Sequence, residues 1–287
     1  MRHVFSLRIG PVGFRVGADW REPIEALRAL YDDYPKPHDG IPDFSVRLFA
    51  ARRWRRWVRP SITIGGDYVL PDAAPLPLPL GLLAAEMGMN LQMALGQRRY
   101  LLLHAATVER DGRALLMTGV SGAGKSTLAA LLMVRGWRLM GDEFALLDPA
   151  TGLLHGFPRL VSLKNRAIGV VEQALPAGKF GPLQADTPKG DIRHLKPDAA
   201  SVAAMDVPAR AVAILFPSFG HAPDMRPVPP AETFVRLTQA STNYVALGER
   251  GFGALTHLVA TVPTHAIDYP DAETAVAMVE RLWEQAA

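Results

Sequence analysis

The segment Gly119–Thr127 constrains this chain more than any other. It reads Gly-Val-Ser-Gly-Ala-Gly-Lys-Ser-Thr and matches G-x-x-x-x-G-K-S, the pattern of a phosphate-binding loop. An apolar run with strand character, Arg113–Thr118, comes directly before it. After it, leucines recur at helical spacing up to Arg135, and Gly136 is typical of a helix stop. A strand, a glycine-rich loop and a helix in this order predict a site for a phosphorylated ligand.

The residue types in the loop suit a nucleoside triphosphate. Its three glycines let backbone N–H groups converge on one point, and the N-terminus of the next helix adds positive potential. Lys125 is expected to reach the β- and γ-phosphates of ATP, and the Ser126 hydroxyl is expected to bind Mg²⁺. The predicted ATP-binding residues are Gly119, Val120, Ser121, Gly122, Ala123, Gly124, Lys125, Ser126 and Thr127.

Composition excludes several classes of protein. A length of 287 residues leaves room for about two domains, and 49% hydrophobic residues allow a sizeable core. No apolar run approaches the roughly 20 residues of a membrane span, and no signal peptide is recognisable at the N-terminus. The absence of cysteine excludes disulfides and thiol catalysis. We therefore expect a cytoplasmic protein without a membrane partner, and a net charge of +3 does not favour nucleic acid.

The first 75 residues predict a small α+β domain, and the proline-rich segment Pro71–Pro79 marks its end. Residues 76–287 are then the catalytic domain. The elements predicted for the first domain are a hairpin around Gly10-Pro11, a helix from Glu22 to Tyr31 capped by Asp19, a strand over Asp43–Ala50 and a second hairpin over Ser61–Leu70.

Segment Arg52–Arg59 is the strongest charge feature of the chain, with five arginines and two tryptophans. One interpretation is a solvated edge strand in which arginine stems cover the tryptophan rings. The other is a docking face for an acidic or peptide partner. The sequence alone leaves both open.

Two antiparallel strands are predicted before the phosphate loop. Leu101–Val108 reads as a strand, and Asp111-Gly112 is a hairpin-turn signal that leads into the strand Arg113–Thr118. This differs from the lone first strand of a doubly wound parallel sheet. Further predicted elements are a helix over Leu80–Leu95, strands over Ala211–Phe216 and Ala266–Tyr269, and helices over Ala231–Gln239, Gly253–Thr261 and Asp271–Gln285.

Two acids follow the next predicted strand. Asp142 and Glu143 come after Trp137–Gly141, at a distance along the chain that can bring them back to Ser126. A kinase needs one carboxylate to take the proton of the acceptor hydroxyl and oxygen ligands for Mg²⁺. The plainer interpretation is a charged turn. His104 is ambiguous in the same way, since a lone histidine in an apolar strand is usually structural.

These residues together resemble the catalytic domain of the HPr kinase/phosphorylase family, and they look most similar to its shorter relatives, the HPr-kinase-related kinase A group. The segments that carry the resemblance are Leu103–Ala106, the phosphate loop, Asp142-Glu143, Pro158–Asn165, Thr187–Gly190, Asn243-Tyr244 and Gly251-Phe252. The likeness covers most of residues 80–285 and is weaker before them.

The resemblance implies an α/β fold: a PEP-carboxykinase-like P-loop kinase domain with a mixed sheet, preceded by a small α+β N-terminal domain. It implies an ATP- and Mg²⁺-dependent serine kinase that acts on a peptide or small protein. Asp142 would be the general base, supported by His104 and Glu143, with Lys125 on the phosphates. Ser126 and Glu143 would hold Mg²⁺. The resemblance also allows a homo-oligomer.

Two positions depart from the family pattern. Lys164 stands near the place of an acidic metal ligand, and Thr127 follows the loop serine where bifunctional members have glutamate. The second departure does not favour the reverse reaction. Lys164, Arg166 and Lys189 are candidate contacts for phosphate or acceptor. Two alternatives stay open, a kinase of free serine or another small hydroxyl metabolite, and a nucleotide-binding adaptor without phosphoryl transfer.

Overall fold

The computed structural model describes residues 2–285. In chain order the strands are β1 His3–Ile9, β2 Val12–Ala18, β3 Phe44–Ala50, β4 Ser61–Gly66, β5 Leu76–Pro77, β6 Leu101–Leu103, β7 Ala105–Arg110, β8 Arg113–Thr118, β9 Arg138–Gly141, β10 Ala145–Leu147, β11 Leu153–His155, β12 Val161–Lys164, β13 Gln184–Thr187, β14 Gly190–Leu195, β15 Ala209–Phe219, β16 Asp224–Pro227 and β17 Thr264–Tyr269. The α-helices are α1 Glu22–Leu30, α2 Gly81–Gly96, α3 Lys125–Val134, α4 Arg166–Ala174, α5 Ala199–Ala203, α6 Pro230–Ala240, α7 Tyr244–Leu247, α8 Glu249–Thr261 and α9 Ala272–Gln285. Within residues 2–285 no helix combines the length and apolar character needed to cross a bilayer.

The chain forms two compact units. The first contains the residues up to Gln97 together with Lys179–Lys196, and the second contains Arg98–Gly178 together with the residues from Pro197 onward. The first unit therefore includes α2 and the later strands β13 and β14. Its boundary follows Gln97 and not the proline-rich segment near residue 75. The division into domains of residues 1–75 and 76–287, understood as independently folding parts, stays a prediction.

The first unit is built on a five-stranded sheet in the order β1-β2-β3-β4-β5. The predicted hairpin around Gly10-Pro11 is confirmed, since β1 and β2 pair antiparallel from His3–Ala18 to Ile9–Val12. Strands β2 and β3 run parallel and are connected through α1. Every β2 residue except Arg15 is buried, so this strand lies inside the unit.

Helix α2 lies tightly against this sheet. A Cβ added at Gly88 would come within 2.4 Å of Val46 Cγ1 on β3 and 3.3 Å of Ile64 Cγ2 on β4. The backbone of α2 thus approaches the sheet more closely than any residue with a side chain would allow. This contact explains why residues 81–96 group with the N-terminal part of the chain.

The returning segment Lys179–Lys196 is fastened to the first unit at both ends. Lys179 and Lys196 each donate to Asp32, at 3.1 and 3.0 Å, and Lys196 also lies 2.7 Å from Asp33. Hydrogen bonds from Lys196 and Lys179 lower the pKa of Asp32 to about 2. These partly exposed ion pairs join parts of the chain that are far apart in sequence.

Three predictions for the first unit are wrong. Asp19 does not cap α1; Arg21 is at the N-cap position without a side-chain bond, and Asp19 instead lies 3.7 Å from Arg56. The range Ser61–Leu70 holds one strand, β4, and not a hairpin, because β4 pairs with β3 on one side and β5 on the other. Segment Arg52–Arg59 is not an edge strand but contains a 3₁₀ turn at Arg53–Arg56.

The second unit contains a mixed sheet, as the resemblance implies. Its main path runs β6-β10-β11-β15-β8-β7-β9, and β17 pairs with both β15 and β16. The hairpin turn at Asp111-Gly112 is confirmed: both residues have positive φ, 57° and 74°, and β7 pairs antiparallel with β8. Strand β8 runs parallel to β15, which runs parallel to β17.

Strand directions decide which loops meet. Because β7 is antiparallel to both β8 and β9, strands β8 and β9 run in the same direction. The C-terminal ends of β8, β9, β15 and β17 therefore lie along one edge of the sheet. The phosphate loop leaves this edge after β8, and the Asp142-Glu143 pair leaves it after β9.

A matched pair of glycine substitutions tests the packing of α2. Gly88→Ala gains helix propensity but places a methyl group against Val46, so we expect a loss of about 1–3 kcal/mol in the free energy of unfolding. Gly253→Ala, at an exposed position of α8 with nothing within 4 Å, should gain about 0.5–1 kcal/mol. Urea unfolding followed by circular dichroism measures both; equal shifts would contradict the tight contact.

Candidate functional site

The phosphate loop has the backbone geometry that its sequence predicts. Gly119, Gly122 and Gly124 have φ of 150°, 86° and 92°, values that residues with side chains rarely adopt. Helix α3 begins immediately afterwards at Lys125. Val120 at the tip of the loop is 78% exposed. The loop is thus an exposed turn at a helix N-terminus, an arrangement that can bind phosphate groups.

Lys125 is folded into the loop. Its side-chain nitrogen donates to the carbonyl oxygens of Gly119 at 2.7 Å and Val120 at 2.9 Å, and the residue is only 8% exposed. Burial lowers the pKa of Lys125, and the nearby charges of Asp142 and Glu143 oppose that effect. The ammonium group therefore lies close enough to both predicted acids for their charges to act on it.

Asp142 meets the loop directly. Its Oδ1 accepts a hydrogen bond from the Ser126 hydroxyl at 2.9 Å, and its Oδ2 accepts one from the Ser162 backbone N–H at 3.3 Å. The residue is 2% exposed. Burial raises the pKa of Asp142 to about 6, the charge of Glu143 adds to this, and the two hydrogen bonds oppose it. A buried carboxylate with a raised pKa beside a phosphate loop is well suited to proton transfer.

Glu143 and His104 form a second pair beside Asp142. Glu143 has a φ of 77°, a conformation that costs energy for a residue with a side chain and is typical of functional sites. His104 Nδ1 lies 3.0 Å from the Glu143 carbonyl oxygen and 3.5 Å from its Oε2. Because a carbonyl oxygen can only accept a hydrogen bond, Nδ1 is the ring nitrogen that carries the hydrogen in this contact.

The predicted strand Leu101–Val108 is interrupted at His104. The His104 backbone N–H donates to the Ala240 carbonyl oxygen at 2.7 Å, and the His104 carbonyl oxygen accepts from the Thr118 hydroxyl at 2.8 Å. His104 therefore makes no strand-pairing hydrogen bonds there and separates β6 from β7. Thr118 is the last residue of β8, directly before the loop. This break turns the histidine toward the end of the sheet that carries the phosphate loop.

The three predicted basic contacts divide between the two units. Lys164, half-buried at the end of β12, is close enough that its charge lowers the pKa of both Asp142 and Lys125. Arg166 is exposed at the start of α4. Lys189 belongs to the first unit, exposed between β13 and β14, with its backbone N–H donating to Thr187 Oγ1 at 3.2 Å. Within the second unit, only Lys164 of these three acts on the buried acid.

Sequence reasoning missed Tyr269. The side chain of this residue, the last of β17, is almost fully buried and donates from its hydroxyl to the Ala123 carbonyl oxygen in the loop at 2.9 Å. A Cβ on Gly124 would lie 2.3 Å from the same hydroxyl, so the glycine is required by this approach as well as by its φ. Burial raises the pKa of Tyr269 above its ordinary value. Only the parallel pairing of β15 with β17 brings it there, and no local pattern signals that pairing.

The donor set suits Mg²⁺ held in part by a bound phosphate. Ser126 Oγ and the Asp142 carboxylate supply hard oxygen atoms within hydrogen-bond distance of each other. Among residues 2–285, no group of three or more His, Asp or Glu side chains could hold a metal ion by itself. Magnesium in phosphoryl-transfer sites is typically bound by one or two carboxylates together with substrate phosphates. The residues present therefore fit this ion, and the predicted role of Glu143 as a ligand stays a prediction.

Comparison with known proteins gives limited similarity. The family model described as SynChlorMet cassette protein ScmC matches residues 84–174, less than half of the chain but including the loop and both acids. A search of curated proteins finds no match. A solved structure that matches is the Hpr(Ser) kinase/phosphatase from Coxiella burnetii, at 14% identity and a TM-score of 0.28, covering 64% of this chain and 98% of that one. A TM-score of this size does not establish a shared fold.

Substitution of Tyr269 tests its control of the loop. Tyr269→Phe removes the hydrogen bond to Ala123 and keeps the ring, so we expect the affinity for ATP, the ligand that the sequence predicts, to fall roughly fivefold, the size of one lost hydrogen bond. Isothermal titration calorimetry measures the dissociation constant. Tyr68→Phe, at an exposed position of the first unit, serves as the control. Unchanged affinity in Tyr269→Phe would mean that the loop keeps its shape without this bond.

The buried charge of Asp142 predicts a pH-dependent cost in stability. An unfolded aspartate titrates near pH 4, below the folded value of about 6. The cost is therefore complete above about pH 6 and disappears below about pH 4, where both states are protonated. We expect Asp142→Asn to raise the free energy of unfolding by up to about 3 kcal/mol at neutral pH and by little at acid pH.

Thermal and urea unfolding across this pH range measure the difference between the Asp142 variant and the parent. The exposed Asp72→Asn is the matched control and should change stability little at any pH. A variant that is less stable than the parent at neutral pH would show that the hydrogen bonds from Ser126 and Ser162 outweigh the desolvation of the charge.

Proposed function

We propose that this protein is an ATP- and Mg²⁺-dependent serine kinase that phosphorylates a serine hydroxyl on a peptide or small protein. The observation that carries the proposal is the 2.9 Å hydrogen bond between Ser126 of the phosphate loop and the buried Asp142. It joins a phosphate-binding loop to a carboxylate of raised pKa, and that carboxylate is close enough for its charge to act on the Lys125 ammonium group. A phosphate-binding loop, an ammonium group on the phosphates and a carboxylate beside them are recurring parts of phosphoryl-transfer sites.

The loop residues Gly119–Thr127 are the proposed ATP site. Backbone N–H groups around the three positive-φ glycines, and the N-terminus of α3, supply partial positive charge for the phosphates. Lys125 would exchange its two carbonyl partners for phosphate oxygens and so lose no hydrogen bonds on binding. The hydrogen bond from the Tyr269 hydroxyl to the Ala123 carbonyl oxygen holds the loop backbone in place.

Ser126 and Glu143 are the residues that would hold Mg²⁺, and Asp142, which accepts the Ser126 hydrogen bond, is left to take the proton. When bound, the ion would neutralise charge on the transferring phosphoryl group. Lys164 adds a positive charge near Asp142, where the related family has an acidic ligand. This favours a site with one metal ion held by few carboxylates.

Asp142 is the proposed general base. As the serine oxygen bonds to the γ-phosphorus and the bond to the β-phosphate oxygen breaks, the hydroxyl proton passes to the Asp142 carboxylate and ADP leaves. A pKa of about 6 keeps the group ionised at neutral pH yet basic enough to take the proton. His104 positions Glu143 through its Nδ1–H bond to the backbone carbonyl, and Glu143 in turn raises the basicity of Asp142.

Membership of the HPr-kinase-related kinase A group is part of this proposal. The motifs around His104, the loop and the acid pair support it, and the mixed sheet agrees with it. The family model that matches carries a different description. The peptide or small-protein acceptor, the cytoplasmic location and a homo-oligomeric state are likewise proposals.

Transfer of radiolabelled phosphate tests the proposal. The full-length protein, with Mg²⁺ and γ-labelled ATP, is incubated with a peptide library in which serine, threonine or alanine occupies the central position, and with free serine. We expect label in the serine peptides. Lys125→Ala should lose both ATP binding and transfer, because it removes the only ammonium group of the loop. Asp142→Asn should keep ATP binding and lose transfer.

The outcomes separate the alternatives. Label in free serine alone would indicate a kinase of a small hydroxyl metabolite. ATP binding without any labelled product, including with proteins encoded beside this one and read by mass spectrometry, would favour a nucleotide-binding adaptor. Normal transfer by Asp142→Asn would disprove its role as the base.

A further inference from the structure

The arginine–tryptophan surface, Arg52–Arg59, lies in the first unit between β3 and β4. Its 3₁₀ turn is held by two bonds to the preceding part of the unit. Trp20 Nε1 donates to the Arg56 carbonyl at 3.0 Å, and the Arg56 guanidinium donates to the Asp19 carbonyl at 2.6 Å. The segment is therefore an anchored feature of the surface, with a defined backbone from which its other side chains project.

Both tryptophans of this surface are exposed. Trp57 is 73% exposed and Trp54 46%, although large aromatic side chains are normally buried. The Arg55 guanidinium carbon lies 4.4 Å above the Trp54 ring, and that of Arg56 lies 5.9 Å from the Trp57 ring. Each ring thus already has a guanidinium group beside it, so an apolar and a cationic contact are offered together.

Most of the positive charge on this surface is not neutralised. Among residues 2–285, Arg56 is the one arginine of the five with a carboxylate close by, Asp19 at 3.7 Å. Five arginines in eight residues exceed the net charge of +3 of the whole chain, so the remainder of the chain is slightly acidic. The positive potential is local and would attract a compact group of negative charges.

A cavity opens within the same surface. It has a volume of about 440 Å³ and is lined by Ala51, Arg52, Trp54, Arg55, Ser61 and Pro75. Ala51, Pro75 and the Trp54 ring supply apolar parts of its lining, and Arg52 and Arg55 supply positive charge. Its size suits one or two side chains of a bound peptide.

We propose that the arginine–tryptophan surface binds an acidic peptide segment, in which carboxylates flank an aromatic or aliphatic residue that enters this cavity. The carboxylates would pair with Arg52 and Arg53, and the apolar residue would pack on Trp54. A nucleic acid would need a basic groove that follows its backbone, and the slightly acidic remainder of the chain opposes that. A bilayer presents no protruding group for a concave site.

This interaction goes beyond phosphoryl transfer and does not require it. If the proposed kinase activity holds, the surface would be a docking site for an acidic part of the acceptor, separate from the serine. If that activity is absent, the binding is still expected, because none of the residues involved belongs to the phosphate loop.

Fluorescence anisotropy with a labelled synthetic peptide, in which glutamates flank a single phenylalanine, tests the proposal on the full-length protein. We expect saturable binding that weakens with added salt. The same peptide with glutamine in place of glutamate should bind at least about tenfold more weakly. Arg52→Ala combined with Arg53→Ala should weaken binding roughly threefold to tenfold, the range expected for two exposed ion pairs. Trp54→Ala should leave the salt dependence unchanged and lower the affinity.

The matched control removes the same charge elsewhere in the unit. Arg15→Ala combined with Arg47→Ala, at exposed positions of β2 and β3, should bind like the parent. Lys125→Ala should also bind like the parent, which separates this proposal from the kinase activity. Equal binding by the Arg52 and Arg53 variant, equal binding of a lysine peptide, or tighter binding of oligothymidine or of phosphatidylserine vesicles would overturn it.

Discussion

The buried carboxylate of Asp142 is the constraint around which the candidate site of the second unit is built. Removing this charge from water is costly, and the cost is offset only in part by hydrogen bonds from the Ser126 hydroxyl and the Ser162 backbone and by the charge of Lys164. The loop, the end of β9 and the segment after Val161 must all be in place for these partners to meet. The same burial that destabilises the charged carboxylate raises the pKa of Asp142 toward neutrality.

The order of the strands brings these partners together. The hairpin β7–β8 is local, and pairing β9 on its far side returns the chain to the edge where the phosphate loop begins. Parallel pairing of β15 and β17 then adds Tyr269 under the loop. Because several C-terminal strand ends share one edge, residues separated by up to 146 positions, such as Ala123 and Tyr269, come into contact.

Local patterns were sufficient where the local interaction decides the structure. The turn at Asp111-Gly112, the glycines of the phosphate loop and the apolar spacing of α3 each act within a few residues, and each prediction is confirmed. Patterns failed where distant contacts compete. Asp19 could cap a helix, but its carboxylate lies near the Arg56 guanidinium instead. Leu101–Val108 could form one strand, but hydrogen bonds of the His104 backbone to Ala240 and Thr118 take His104 out of the strand pairing.

The sequence by itself determined that this chain carries a phosphate loop between a strand and a helix, that a hairpin precedes it, and that paired acids follow the next strand. These are properties of turn chemistry and side-chain periodicity, which operate over short distances. Only the tertiary structure decided that Asp142 contacts Ser126, that Tyr269 supports the loop, that α2 and Lys179–Lys196 join the first unit, and that Trp54 and Trp57 are exposed. Strand order and burial depend on contacts across the whole chain, and no segment contains that information alone.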